Sequence, residues 1–282
     1  MPRKPAGRGG LWGRLTTLQK WLSGIVIAAL ATALGGVLSG FFTAQFQAVL
    51  DRFTGGPVPI TVTAALQDPG YVCAGGQGWV FPTGSHGLGP ATAPKSDWAA
   101  AHGGVPASGN YAVLTIQGTS SSAVVLTGLR VNVVSRRPAV AGDYAHVYGQ
   151  CGAFSPRLFV ADLDRQPVRA VPVAGYDGAT GNTIPAINFP FKVSSTDPEQ
   201  FYVRVYMGDC DCDWTVELDW VAAGRKGSSH VTDNGKPFRL TGLAAANGYL
   251  LNYTTHTWDA WACEGCLGGK PYGGPPELKP KS

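Results

Sequence analysis

A chain of 282 residues with only 14% charged side chains, 39 glycines and 21 prolines is too poor in charge for long solvent-exposed helices and rich enough in turn residues for many short strands. Its net charge of +4 is unevenly placed: Arg3, Lys4, Arg8, Arg14 and Lys20 stand in the first 20 residues without an acid among them, which leaves 17 of the 22 basic residues against 18 acidic ones, a net of −1, for the remainder. A nucleic-acid-binding surface on the folded part therefore has no electrostatic support.

Residues 21–50 contain no charge. Within them, 22–42 is a mostly apolar run, the length a helix needs to cross about 30 Å of hydrocarbon. Only Ser23, Thr32 and Ser39 interrupt it, and hydroxyls bond back to their own helix carbonyls. The basic residues of the tail, 1–21, precede the run, and the first charge after it is Asp51. The positive-inside rule then predicts a cytoplasmic tail, one transmembrane α-helix over 22–42 in the plasma membrane, and a juxtamembrane linker over 43–58 leading to an extracytoplasmic domain. A cleavable signal peptide shares the basic start and apolar middle but is shorter and ends on small residues. Here the exit reads Phe41-Phe42-Thr43-Ala44-Gln45-Phe46, which favours a retained signal anchor; in both cases the bulk of the chain is exported. Gly24, Ala28, Thr32, Gly36 and Gly40 recur at every fourth position, a small-residue face through which two such helices can form a homodimer. A helix rich in Gly and Ala also produces that spacing by chance.

Beyond residue 59 the pattern is strand, turn, strand. Runs rich in Val, Ile, Phe and Tyr at 60–66, 78–81, 111–117, 123–135, 144–148, 158–163, 187–193, 201–207, 212–221, 238–243 and 249–253 are mostly separated by Gly, Pro, Asp or Asn. The clearest lies at 210–220, where Cys210, Cys212, Trp214, Val216, Leu218 and Trp220 alternate with Asp211, Asp213, Thr215, Glu217 and Asp219. A period of two gives one core face and one wet face, the mark of an antiparallel strand. Only 95–102 reads as a helix, capped by Ser96 or Asp97 and anchored by Trp98. The predicted fold class is all-β, an antiparallel β-sandwich ectodomain over 59–262 behind the transmembrane helix, with a barrel as the other closure. Residues 263–282 are expected to form a Cys-x-x-Cys segment and a flexible tail.

The six cysteines are Cys73, Cys151, Cys210, Cys212, Cys263 and Cys266, and an even count in an exported domain predicts disulfides. In a regular strand Cys210 and Cys212 stand too far apart for an easy bond, so each is expected to take a separate partner. Either Cys263 closes on Cys266 and leaves Cys73 and Cys151 for the pair, or Cys73 bonds Cys151 and the C-terminal pair takes Cys210 and Cys212. A four-thiolate zinc site is the reduced alternative; oxidation outside the membrane competes with it.

No His-Glu-x-x-His, Gly-x-Ser-x-Gly, phosphate-loop or dinucleotide pattern occurs, and no catalytic residue or cofactor is predicted. Asp209, Asp211 and Asp213 at a strand start offer closely spaced carboxylates to calcium or to a glycosidase-type pair; a solvated strand face accounts for the same residues. Trp214 and Trp220 fall on the core face and are expected to be packing. Trp258 and Trp261, with Asp259 and His256 in a loop-like segment, are the candidate ligand-binding surface, suited to an envelope glycan or a partner protein. A loop clamped by Cys263 explains them equally.

The stretch 210–220, followed by Gly224-Arg225 and by Asn-Gly-Lys-Pro-Phe-Arg at 234–239, resembles a group of uncharacterised single-pass membrane proteins of actinobacteria with an extracytoplasmic β-sandwich domain. Leu-Thr-Gly-Leu-Arg-Val at 126–131, Asp162-Leu163-Asp164 and Ser-Thr-Asp-Pro-Glu at 195–199 fit the same pattern. The resemblance covers about residues 60–240; it implies the architecture and no activity. The expectation is a membrane-anchored extracytoplasmic binding or interaction module. The alternatives are an envelope-tethered hydrolase using Asp residues and a signalling or structural subunit that associates through its transmembrane helix.

Overall fold

The computed structural model describes residues 57–66, 77–82, 96–147, 157–176, 180, 182–208 and 210–260. The expected span at 22–42 with its small-residue face, together with Cys73, Cys151, Asp209, Trp261, Cys263 and Cys266, lies outside the described residues. Among the described residues no helix is long and apolar enough to cross a membrane. All of them but Pro57 belong to one compact unit that begins at Val58.

In chain order the elements are β1 (Ile60–Leu66), β2 (Gln77–Pro82), α1 (Ser96–Ala101), β3 (Val105–Pro106), β4 (Tyr111–Gly118), β5 (Val124–Pro138) and β6 (Ala141–Val147). They continue with β7 (Arg157–Asp162), β8 (Ala170–Val173), β9 (Gly175–Tyr176), β10 (Thr183–Ile184), β11 (Phe191–Val193) and β12 (Glu199–Tyr206). The described chain closes with β13 (Cys210–Ala222), β14 (Arg225–Val231), β15 (Phe238–Thr241), β16 (Ala244–Asn252) and β17 (Thr257–Ala260).

The strands form a mostly β, sandwich-like fold. One sheet runs β1-β4-β12-β7-β8, and a second runs β11-β5-β13-β14, with β15 also on β13. Their inner faces share one core, to which Leu114, Phe159, Phe201 and Val203 come from the first sheet and Leu126, Trp214, Leu218 and Leu240 from the second. The core face of the alternation at 210–220 is realised as expected, with Trp214 fully buried and Trp220 6% exposed, both in this core, whereas Asp211 and Thr215 on the face expected to be wet are buried as well. A third sheet, β17-β16-β6-β2-β3, is covered on both faces by smaller apolar clusters, one around Trp79 and Phe81 and one around Val80 and Tyr144. The pairing is not antiparallel throughout, because β12 runs parallel to β7 and β16 parallel to β6.

Residues 106–110 join the three sheets. Ala107 N donates to Gly78 O at 2.9 Å, Ser108 N to Thr241 O at 2.7 Å and Gly109 N to Val205 O at 2.7 Å. The buried side chains here serve the backbone: Ser108 Oγ accepts from Met207 N at 2.9 Å, and Thr241 Oγ1 from Val140 N at 2.9 Å. Asn110 accepts from Gly78 N at 3.2 Å and donates to Gly78 O at 3.0 Å. Ser108, Asn110 and Thr241 thereby find the partners that burial demands.

Strand β5 carries two bulges that set its faces. Asp219 pairs Gly128 but Trp220 pairs Leu126, so Thr127 is the extra residue; Asp213 pairs Ser135 but Trp214 pairs Val133, so Val134 is the second. The first puts Leu126 and Leu129, three apart, on the same core face. The second turns Ser135 and Arg137 outward, opposite Asp213 and Asp211, and turns Arg136 inward, opposite Cys212.

Candidate functional site

The outward face of β13 is a ladder of acids, each met by donors from a neighbouring strand. Asp211 accepts from Arg239 Nε at 2.9 Å and Nη2 at 2.8 Å, and from Arg137 Nε at 3.0 Å. Asp213 accepts from Arg137 Nη1 at 2.7 Å and Nη2 at 2.9 Å, and from Ser135 Oγ at 2.7 Å. Glu217 binds His230 Nδ1 at 2.6 Å and Ser228 Oγ at 2.5 Å. Asp219 takes both Nε and Nη2 of Arg130, at 3.1 and 2.6 Å. The hydrogen bonds from Arg137 lead in holding the Asp213 carboxyl at about 2. Burial pushes Asp211 and Glu217 up, but the donors around them outweigh it, and both lie below their ordinary values. The carboxylates of Asp211 and Asp213, considered above for calcium, are committed to arginines. Among the described residues no group of three or more His, Cys, Asp or Glu is placed to hold a metal ion.

On the inward face Cys210 and Cys212 are bonded to each other, which corrects the expectation that each has a separate partner. Their Cα atoms are 5.4 Å apart, shorter than the roughly 6.6–6.8 Å of two regular strand steps and inside the range a disulfide spans. The irregular register next to them, at Asp213 and Trp214, is the local distortion that regular strand geometry left out. With both sulfurs bonded, neither serves as a thiolate in a Cys-x-Cys zinc site. Arg136 lies over the pair, with Nη1 3.8 Å from each sulfur and Nη2 donating to Leu163 O at 2.5 Å. Beside it a cavity of about 510 Å³ opens between residues 133–136 of β5 and residues 166–168 after β7.

The other predicted residues lie at the edge of the third sheet. Trp258 is in strand β17 and not in a loop, paired with Leu251. Its half-buried ring stacks on Trp98 of α1 at 5.9 Å, and Trp98 stacks on His102 at 4.5 Å and meets Phe81 edge-on at 5.8 Å. Asp259 follows on the opposite face of the strand, where it accepts from Asn252 Nδ2 at 3.0 Å. His256 sits in the hairpin turn with φ of 56°, its N–H donating to Asn252 O at 2.8 Å. The structure thus brings Trp258 to Trp98, a pairing not foreseen, and separates it from Asp259. Tyr253, the last residue of the run expected as a strand at 249–253, instead stands at the tip of the same hairpin and is 45% exposed.

What fold and site define is a class, a disulfide-containing sandwich-like β domain with an arginine–carboxylate ladder along its longest pairing. No protein-family profile matches the chain, and no curated protein or solved structure matches it.

Proposed function

We propose that the chain is a membrane-anchored extracytoplasmic binding module, held in the plasma membrane by residues 22–42 and facing outward with its β domain. The observation that carries binding over hydrolysis is the ladder on β13. Asp211, Asp213, Glu217 and Asp219 are each hydrogen-bonded to a cross-strand base or hydroxyl, so they tie strands together and do not stand as the paired free carboxylates a glycosidase needs. The Cys210–Cys212 bond supports an oxidising compartment, in keeping with the basic tail and apolar run that precede the domain. The partner surface we assign is the β16–β17 hairpin, where Trp258 and Tyr253 offer apolar rings with polar edges to a protein or an envelope glycan.

A membrane-impermeant crosslinker applied to intact cells expressing the full chain tests this. Capture of a discrete envelope protein or glycan that is lost in the Tyr253→Ala/Trp258→Ala double variant, at unchanged surface level, is the expected result. Equal capture by the double variant, or no labelling of the domain from outside, would overturn it.

A further inference from the structure

We propose that the cavity beside the Cys210–Cys212 disulfide binds a small monocarboxylate carrying a short apolar chain. Three features converge there. The first is the bulge: Val134 is the extra residue between the pairs Ser135–Asp213 and Val133–Trp214, and its side chain is 58% exposed, one of three large apolar side chains so exposed among the described residues. Bulges re-aim side chains next to functional sites, and this one directs an apolar group into the mouth of the cavity. Pro167 and Val168 form the facing wall.

The second is charge. Arg130, Arg137, Arg157, Arg165 and Arg239 each form an ion pair with a carboxylate. Arg136 does not: its partners are a carbonyl oxygen and two disulfide sulfurs, all neutral. Around it Arg137 and Arg239 are paired with Asp211 and Asp213, and Arg165 with Asp162. Among the described residues that line the cavity Arg136 alone is charged, and a guanidinium whose partners are neutral suits a carboxylate. One unpaired positive charge matches a monoanion and leaves a phosphate dianion half neutralised.

The third is size and lining. The site is an open groove with about 510 Å³ of space, room for a small acid, and its wall combines Val133, Val134, Pro167 and Val168 with a few polar groups that fix orientation. Gln166 at the rim supplies a second polar contact, so the carboxylate seats on Arg136 and the chain on Val134, Pro167 and Val168.

This inference rests on reading the domain as a binding module, but it concerns a different surface from the hairpin. Its test is saturation-transfer NMR on the full chain in lipid nanodiscs, with hexanoate, hexanol and hexylamine as probes and empty nanodiscs as the reference. Hexanoate is expected to receive saturation along its chain and to bind at least about tenfold more tightly than hexanol or hexylamine, as loss of a charge-assisted bond implies. Arg136→Gln should lose that preference and Arg136→Lys should keep part of it. Val134→Asp, a change at an exposed position that leaves the disulfide contacts alone, should weaken hexanoate by a similar factor. Equal binding of hexanol and hexanoate, an unchanged affinity in Val134→Asp, or no signal above empty nanodiscs would each overturn the assignment. None of those results touches crosslinking through Trp258, so the two readings fail separately.

Discussion

Replacing Asp211 with Asn probes the ladder at its most buried rung. The Asp211 side chain is 4% exposed and accepts three hydrogen bonds from two arginines. Asparagine keeps the shape but removes the charge, and it presents an NH₂ where a guanidinium N–H already points. Hydrogen bonds to charged groups contribute about 1.5–3 kcal/mol each, and breaking a buried pair costs about 3–5 kcal/mol. Arg239 and Arg137 are 47% and 42% exposed, so both recover water, and Arg137 retains Asp213. The expected loss is therefore nearer about 2–3 kcal/mol. Urea unfolding followed by tryptophan fluorescence reads it, because Trp214 lies on the same strand. The midpoint should fall with the slope m unchanged. A loss under about 0.5 kcal/mol, within the range of an ordinary surface substitution, would refute the claim that the ladder holds β5, β13 and β15 together.

Acid should weaken the domain in a defined window. Asp213 at about 2, with Asp211 and Glu217 also depressed, contribute in full above their unfolded values and lose that contribution as pH falls through the folded ones. Stability should be level above about pH 5 and decline from there toward about pH 2, with a shallower decline in Asp213→Asn; a pH series of urea midpoints measures this. Gly142→Ala should cost about 2–3 kcal/mol by thermal melting, because a Cβ there would stand 1.9 Å from the backbone oxygen of Phe81 on the paired strand. Peptide mapping under non-reducing conditions should find Cys210 and Cys212 joined to each other within one peptide. The Cys210→Ala/Cys212→Ala variant should lose only about 1.5 kcal/mol of loop entropy, since the closed loop is so short.

Where a strand follows plain alternation, its residues alone reveal it. The run at 60–66 coincides with β1, and the two faces of β13 are assigned residue by residue, with Trp214 and Trp220 inside. Strand β14 was invisible, since its inward positions are Arg225, Gly227, Ser229 and Val231 and read as a turn-rich stretch. It is written by its partner: the Trp220 ring lies where a Cβ on Gly227 would be, and Trp220 Nε1 donates to Ser229 Oγ at 3.1 Å. The bulges at Thr127 and Val134 were equally hidden, because one extra residue breaks the period without changing composition. The bulge at Val134 brings Arg137 to the acids and Arg136 to the disulfide, so the acids are legible as a face and their partners are not. The short Cys210–Cys212 bond escaped for the same reason, as regular spacing argued against it.

Protease protection of the full chain in intact cells, with an epitope at each end, tests the central claim that a basic cytoplasmic tail and one membrane helix hold the β domain outside. Protease added outside should cut the linker over 43–58, release the C-terminal epitope and leave a short N-terminal fragment with the membrane. A C-terminal epitope that survives until the membrane is permeabilised, or a full-length chain recovered in the soluble fraction, would contradict the account.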